Sequence, residues 1–95
     1  MGQAPTVTIH VYGQLREYCA GASQLSVSAR TVRAALEDLE RSQSALYRNL
    51  CDETGKVRRF VNVYVNEEDI RFLKQGETPL KDGDEVSIVP AIAGG

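Results

Sequence analysis

The spacing of apolar residues changes twice along this chain, and that change constrains the fold more than any single motif. Over residues 6–12, TVTIHVY, Val7, Ile9 and Val11 alternate with Thr6, Thr8, His10 and Tyr12. In an extended chain this puts the two sets on opposite faces, the mark of a half-buried strand. Across 31–43, TVRAALEDLERSQ, the apolar positions become Val32, Ala35, Leu36 and Leu39, the i, i+3, i+4, i+7 pattern of one helix face. Alternation then returns in RRFVNVYV, where Val61, Val63 and Val65 oppose Phe60, Asn62 and Tyr64.

The remaining segments fill in around this frame. SQLSV, residues 23–27, predicts a second strand with Leu25 and Val27 together, joined to the first by a long loop punctuated by Gly13 and Gly21. Thr31 predicts the N-cap of the helix, and SALYRNL adds a further helical turn with Leu46 and Leu50 inward. Asn66 to Asp69 read as a polar turn, after which Ile70 opens a short return strand. Asp82–Gly83 is a turn signal leading into a last strand with Val86 and Ile88 inward. The order is β-β-α-β-β-β: an α+β fold whose mixed sheet of about four to five strands is covered on one face by one main helix. The opposite face is predicted to carry His10, Tyr12, Phe60, Tyr64 and Val89, an apolar and aromatic group that makes a candidate contact surface.

Length and composition allow one domain and little else. The chain has 95 residues, 42% of them hydrophobic, enough for a single core. Residues 1–90 are expected to form it, with 91–95 as a flexible tail. Eleven Lys and Arg stand against thirteen Asp and Glu, a net charge of −2, with no basic run of the kind that neutralises phosphates, so a nucleic-acid partner is not expected. No apolar stretch reaches the roughly 18 residues of a membrane span, and no leader-like start is present, which predicts a cytoplasmic protein. MGQAPT fits the short myristoylation pattern at Gly2, but Thr6 is better read as opening the first strand. Cys19 and Cys51 lack the paired spacing of a zinc or redox site and are expected to be free thiols.

The side chains do not describe an active site. His10 is the one histidine and has no nucleophile motif beside it. Glu67, Glu68 and Asp69 lack the spacing of a calcium loop and read as a solvated turn, as do Glu77, Asp82, Asp84 and Glu85. No glycine-rich loop is present to cradle phosphates. The reactive group left is the terminal carboxylate of Gly95. Pro90 is expected to end the strand ladder, since it has no N–H to donate. Residues 91–95, AIAGG, can then extend about 16–18 Å at roughly 3.3–3.6 Å per residue. Gly94 and Gly95 carry no β-carbon and could enter a narrow channel. Glycines at a fraying terminus are also unremarkable; it is the combination with the preceding strand, the proline and the absence of other chemistry that favours the tail.

GKVRRFVNVYVNEEDIRF followed by LKDGDEVSIVPAIAGG resembles the second half of the ubiquitin-like β-grasp sulfur carriers of the MoaD/ThiS family. The match rests on the valine-rich strand with its Asn-acidic turn, the DGDEV turn and the Gly-Gly end; the first half is similar in pattern only. Within the family the chain is most similar to the carriers of cysteine biosynthesis, with the small subunit of molybdopterin synthase next. The resemblance implies a carrier that is not itself an enzyme and binds no cofactor. Gly95 would be adenylated by an E1-like partner that uses ATP and then converted to a thiocarboxylate. Ala91, Ile92, Ala93 and Gly94 would thread the partner's channel, and Phe60, Tyr64, Val89 and His10 would dock. The sulfur acceptor would be a PLP-dependent cysteine synthase or the large subunit of molybdopterin synthase. A ubiquitin-like modifier, conjugated through Gly95, is the alternative use of the same fold.

Overall fold

The fold is that of a computed structural model, which describes residues 3–91. β1 (Thr6–Val11) and β2 (Gln24–Ser28) form the expected antiparallel hairpin, with Val7 opposite Val27 and Ile9 opposite Leu25. The chain then crosses over through α1 (Val32–Ser42) and α2 (Ser44–Leu50) to β3 (Val61–Val65), β4 (Glu68–Asp69) and β5 (Glu85–Pro90). The sheet has five strands in the order β2-β1-β5-β3-β4. β1 and β5 are parallel and the other pairs antiparallel, so the sheet is mixed and its last long strand lies at its centre.

The core is the face that alternation predicted. Val7, Ile9 and Val11 of β1, Val86 and Ile88 of β5 and Val61, Val63 and Val65 of β3 are all buried. They meet Val32, Ala35, Leu36 and Leu39 of α1 and Leu46 and Leu50 of α2. Helix α1 begins where Thr31 Oγ1 accepts the N–H of Ala34 at 3.1 Å, satisfying one of the donors that the first helical turn leaves open. Thr31 also bridges to Pro79, which ties the helix start to the connection before β5.

Three local readings change. The loop after β1 is a 3-10 helix, Gly13–Cys19, that buries Leu15 and Cys19; its two inward residues are too few for periodicity to register. The return strand does not start at Ile70. It is Glu68–Asp69, paired with Val65 and Tyr64, while Ile70–Phe72 forms a 3-10 turn. The hairpin between β3 and β4 is therefore tighter than expected, with only Asn66 and Glu67 at its tip, both at positive φ (48° and 78°), as a type I′ turn requires. Asp84 is not a solvated turn residue. It is buried, and its carboxylate accepts the Lys81 N–H at 2.8 Å and Asn66 Nδ2–H at 2.9 Å. The Asp82–Gly83 turn is as expected: Gly83 has φ +86° and donates to the Thr6 carbonyl, while Asp82 accepts the Thr6 N–H at 2.7 Å. Cys19 and Cys51 are free and buried. No helix of the described residues is long and apolar enough to cross a membrane.

Candidate functional site: the end of the central strand

β5 is hydrogen-bonded on both sides, to β1 and to β3, and Val86 and Ile88 are fully buried. The segment after Pro90 therefore grows from the best-held strand of the molecule. Pro90 is opposite Val61, and the ladder continues past it: Ala91 donates its N–H to the Phe60 carbonyl at 2.7 Å. The expectation that the proline ends the ladder is thus corrected. Hydrogen-bonded pairs alternate along an antiparallel ladder, and with Ala91–Phe60 as one of them, Pro90–Val61 asks no donor of the proline. The missing N–H faces the β1 side, where β1 has already ended at Val11.

Gly13 completes this mooring. Its φ is +61°, and a β-carbon there would stand 3.0 Å from Pro90 Cγ, so the proline ring lies against the bare backbone of the turn that succeeds β1. The Tyr12 N–H donates to the Ile88 carbonyl at 3.1 Å, one residue earlier on the same turn. In the sequence Gly13 reads as loop punctuation; a glycine this soon after a strand is the signal that marks a close backbone approach.

Of the tail residues, Ala91 is held by the Phe60 carbonyl, and Ile92, Ala93, Gly94 and Gly95 lie outside the described residues, as does Gly2. Of the four docking candidates, His10, Tyr64 and Val89 share the sheet face away from the helices, and Phe60 lies in the turn just before β3. Register puts His10, Ser87 and Tyr64 in one row across β1, β5 and β3, and Val89 beside Asn62 in the next. Phe60 is opposite Ala91 and 52% exposed, and Tyr12 is 41% exposed. His10, Tyr64 and Val89 are half-buried. The face is less apolar than alternation suggested, because Ser87 and Asn62 separate the aromatic residues. His10 is engaged as well: its Nε2 is 2.8 Å from Glu85 Oε1, and its ring stacks with Tyr12 at 6.5 Å between centroids.

A second feature adjoins the same place. The loop from Cys51 to Phe60 is folded on Asp52, whose Oδ1 accepts the Thr54 N–H at 2.8 Å, the Thr54 hydroxyl at 2.6 Å and the Lys56 N–H at 3.1 Å. These bonds hold the Asp52 carboxyl below its usual range, the Thr54 hydroxyl contributing most. The loop presents Lys56, Arg58 and Arg59, none of which sequence reasoning assigned a role.

The model of the ThiS family matches residues 9–95. This chain belongs to the ThiS family. It is 43% identical over 91 residues to the sulfur carrier protein CysO of Mycobacterium tuberculosis, covering 94% of this chain and 98% of that protein. Among solved structures, the CysO of the Amycolatopsis orientalis BexX/CysO complex superposes with a TM-score of 0.84 at 38% identity, over 94% of this chain and 99% of the other. The small archaeal modifier protein SAMP1 of Methanosarcina acetivorans gives 0.83 at 32% identity, over the whole of both chains. The fold is the ubiquitin-like β-grasp of these neighbours, as the resemblance implied. In this ThiS-family chain the described part of the site is a scaffold, a central strand moored by Gly13, Phe60 and Val61, leading to the residues that the family model also includes.

Proposed function

We propose that this chain is a sulfur carrier whose working atom is the carboxyl carbon of Gly95. The observation that carries the reading is that residues 92–95 continue from the central strand of the sheet, moored by the Ala91–Phe60 hydrogen bond. Such a mounting gives a partner a fixed frame from which to find the chain's end. The CysO relative, named a sulfur carrier over nearly its full length, supports the same use.

The chemistry explains why such a protein needs partners. A free α-carboxyl has a pKa of about 3.3–3.7, so at neutral pH it is an anion that nucleophiles do not attack. Attack of the Gly95 carboxylate on the α-phosphorus of ATP, in an E1-like partner, forms the acyl-adenylate and releases pyrophosphate. A sulfide equivalent from a donor then adds to the acyl carbon, and AMP leaves with the C–O bonding pair. The product is a thiocarboxylate, ionised and soft, that keeps sulfide on the protein. Gly94 and Gly95 present no β-carbon to the enclosing channel, Ala91 to Ala93 supply backbone, and Phe60, Tyr64, Val89 and His10 form the docking face. The acceptor proposed is a PLP-dependent synthase of cysteine; the large subunit of molybdopterin synthase is the alternative. Cytoplasmic residence goes with the same reading.

A second reading has its own observation. Over 65 residues the chain is 40% identical to small archaeal modifier protein 3 of Haloferax volcanii, and a modifier would join Gly95 to a target lysine after the same activation. Intact-mass measurement after incubation with an activating enzyme, ATP and sulfide separates them. Replacement of one oxygen by sulfur at Gly95 is the carrier's product, and isopeptide conjugates without it are the modifier's. Deleting Gly95 removes either product while the melting curve stays in place; a sulfur-loaded chain without Gly95 overturns the proposal.

A further inference from the structure

A cavity of about 480 Å³ opens between α1 and the Cys51–Phe60 loop, within the range of roughly 300–1,000 Å³ of built ligand sites. Leu36, Tyr47, Val57, Val61 and Ile70 give it apolar lining. Five of the chain's eleven cations also line it, Arg33, Lys56, Arg58, Arg59 and Arg71, against two acids, Glu37 and Asp69. Two of the five are neutralised within the fold: Arg33 pairs with Glu77 at 2.7 Å and Arg71 with Asp69 at 2.6 Å. Lys56, Arg58 and Arg59 make no ion pair among the described residues. Arg58 donates its Nε–H to the Arg48 carbonyl at 3.0 Å, which positions its guanidinium and leaves the terminal nitrogens for another acceptor. A molecule of net charge −2 thus gathers at one rim three cations that make no ion pair among the described residues, with Glu37 in the lining and the Asp52 carboxylate, which feels the charge of Arg58, as the nearby acids.

We propose that this cavity docks an acidic segment, bearing an apolar side chain, of the protein that takes the tail. The inference rests on the carrier reading for the identity of that protein. Location argues for a protein segment over a free anion. Arg59 and Val61 flank Phe60, whose carbonyl holds Ala91, so a protein enclosing the chain beyond Ala91 stands against this rim. Carboxylates of such a segment would meet guanidinium groups that pair with them bidentately, and its apolar side chain would cover the cavity floor. The Asp52 bonds fold the loop before any partner arrives, so docking orders little that is not already ordered. Because unpaired charges at a surface act over a Debye length of about 8 Å at physiological salt, the rim also steers approach toward the tail.

The test uses the full chain labelled with ¹⁵N and a capped acidic peptide, acetyl-Glu-Glu-Phe-Glu-Asp-Leu-Glu-amide. Its counterpart with lysine for every acid, AMP and inorganic phosphate serve as comparison ligands. The acidic peptide is expected to give saturable amide shifts confined to the cavity lining, Leu36 and Glu37 of α1, Gly55–Arg59, Val61–Val63 and Ile70, weakening as salt is raised. The double variant Lys56→Glu, Arg59→Glu, both side chains exposed, is expected to bind at least tenfold more weakly with an unchanged melting curve. Absence of saturable shifts, shifts on the His10 and Tyr64 face instead, an equal response to AMP or phosphate, or undiminished binding by the double variant would each overturn the proposal. A chain lacking Gly95 should bind the peptide as the full chain does. Peptide binding with no sulfur loading therefore sinks the carrier reading and leaves the cavity assignment standing; sulfur loading without peptide binding does the reverse.

Discussion

Gly13 and Pro90 touch across the boundary between the body and the tail: a β-carbon on Gly13 would lie 3.0 Å from Pro90 Cγ. The contact places the first turn after β1 against the residue that begins the exit from β5. It makes the direction in which the chain leaves the sheet a property of the fold, since the proline cannot move toward β1 without meeting backbone.

Gly13→Ala tests that relationship. The residue combines φ +61° with the close approach, so alanine is both strained and too large there. The expected loss is about 1–2 kcal/mol, read as a melting-point drop of very roughly 4–16 °C for a domain of this size. The amide resonances of Pro90's neighbours, Val89 and Ala91, should shift with it. A variant with wild-type stability would show that the turn is free to yield.

The β3–β4 hairpin carries strain that can be removed. Asn66 suits its left-handed φ, and its side chain is used twice, donating to Asp84 and accepting the Glu85 N–H at 3.0 Å. Glu67, at φ 78°, gains nothing comparable in a position where type I′ turns favour glycine. Glu67→Gly is expected to stabilise the protein by about 0.5–1 kcal/mol, visible as a higher urea midpoint at unchanged slope. Destabilisation would show that Glu67 makes the turn by some other means.

Acid should loosen the cationic loop through Asp52. Its folded carboxyl is held below the ordinary carboxylate value by the Thr54 and Lys56 bonds, so the stabilisation is present above about pH 3.9 and is lost as pH falls through the lower folded value. Asp52→Asn should flatten that part of the pH dependence. Amide exchange of Thr54 and Lys56, followed from pH 5 downward, reads it directly. Identical exchange in variant and parent would remove Asp52 from the loop's support.

At the alkaline end the relevant group is Cys51. Burial, and then the charge of Asp52, pushes its thiol up to about 11. The unfolded chain therefore ionises first as pH rises past about 9, and stability falls from there until the folded thiol ionises too. Near pH 8 a disulfide reagent should label native Cys51 on the order of 100-fold more slowly than the unfolded chain, from the two-unit difference in thiolate fraction alone. Rapid native labelling would mean that the residue is accessible and ordinary.

Features that depend on periodicity or on a local backbone need were legible in advance. Val7, Ile9 and Val11, the Val32–Leu39 stripe and Val61, Val63 and Val65 identify themselves because strand and helix repeat at different intervals. Thr31 and Asp82–Gly83 identify themselves because caps and turns draw on few residue types. The family was readable in the Asn-acidic turn and the DGDEV-to-Gly-Gly end, which are local strings. The tertiary structure alone decided relationships between segments distant in sequence. Pro90 tolerates the ladder because register assigns it a pair that needs no N–H, and register exists only once β5 has settled between β1 and β3. Asp84 is buried because Asn66, eighteen residues earlier, satisfies it, and Gly13 matters because β5 brings Pro90 against it. The cavity is cationic for the same reason: Arg33, Lys56, Arg58, Arg59 and Arg71 never form a run along the chain, and only packing of α1 and the Cys51–Phe60 loop against the sheet makes them neighbours.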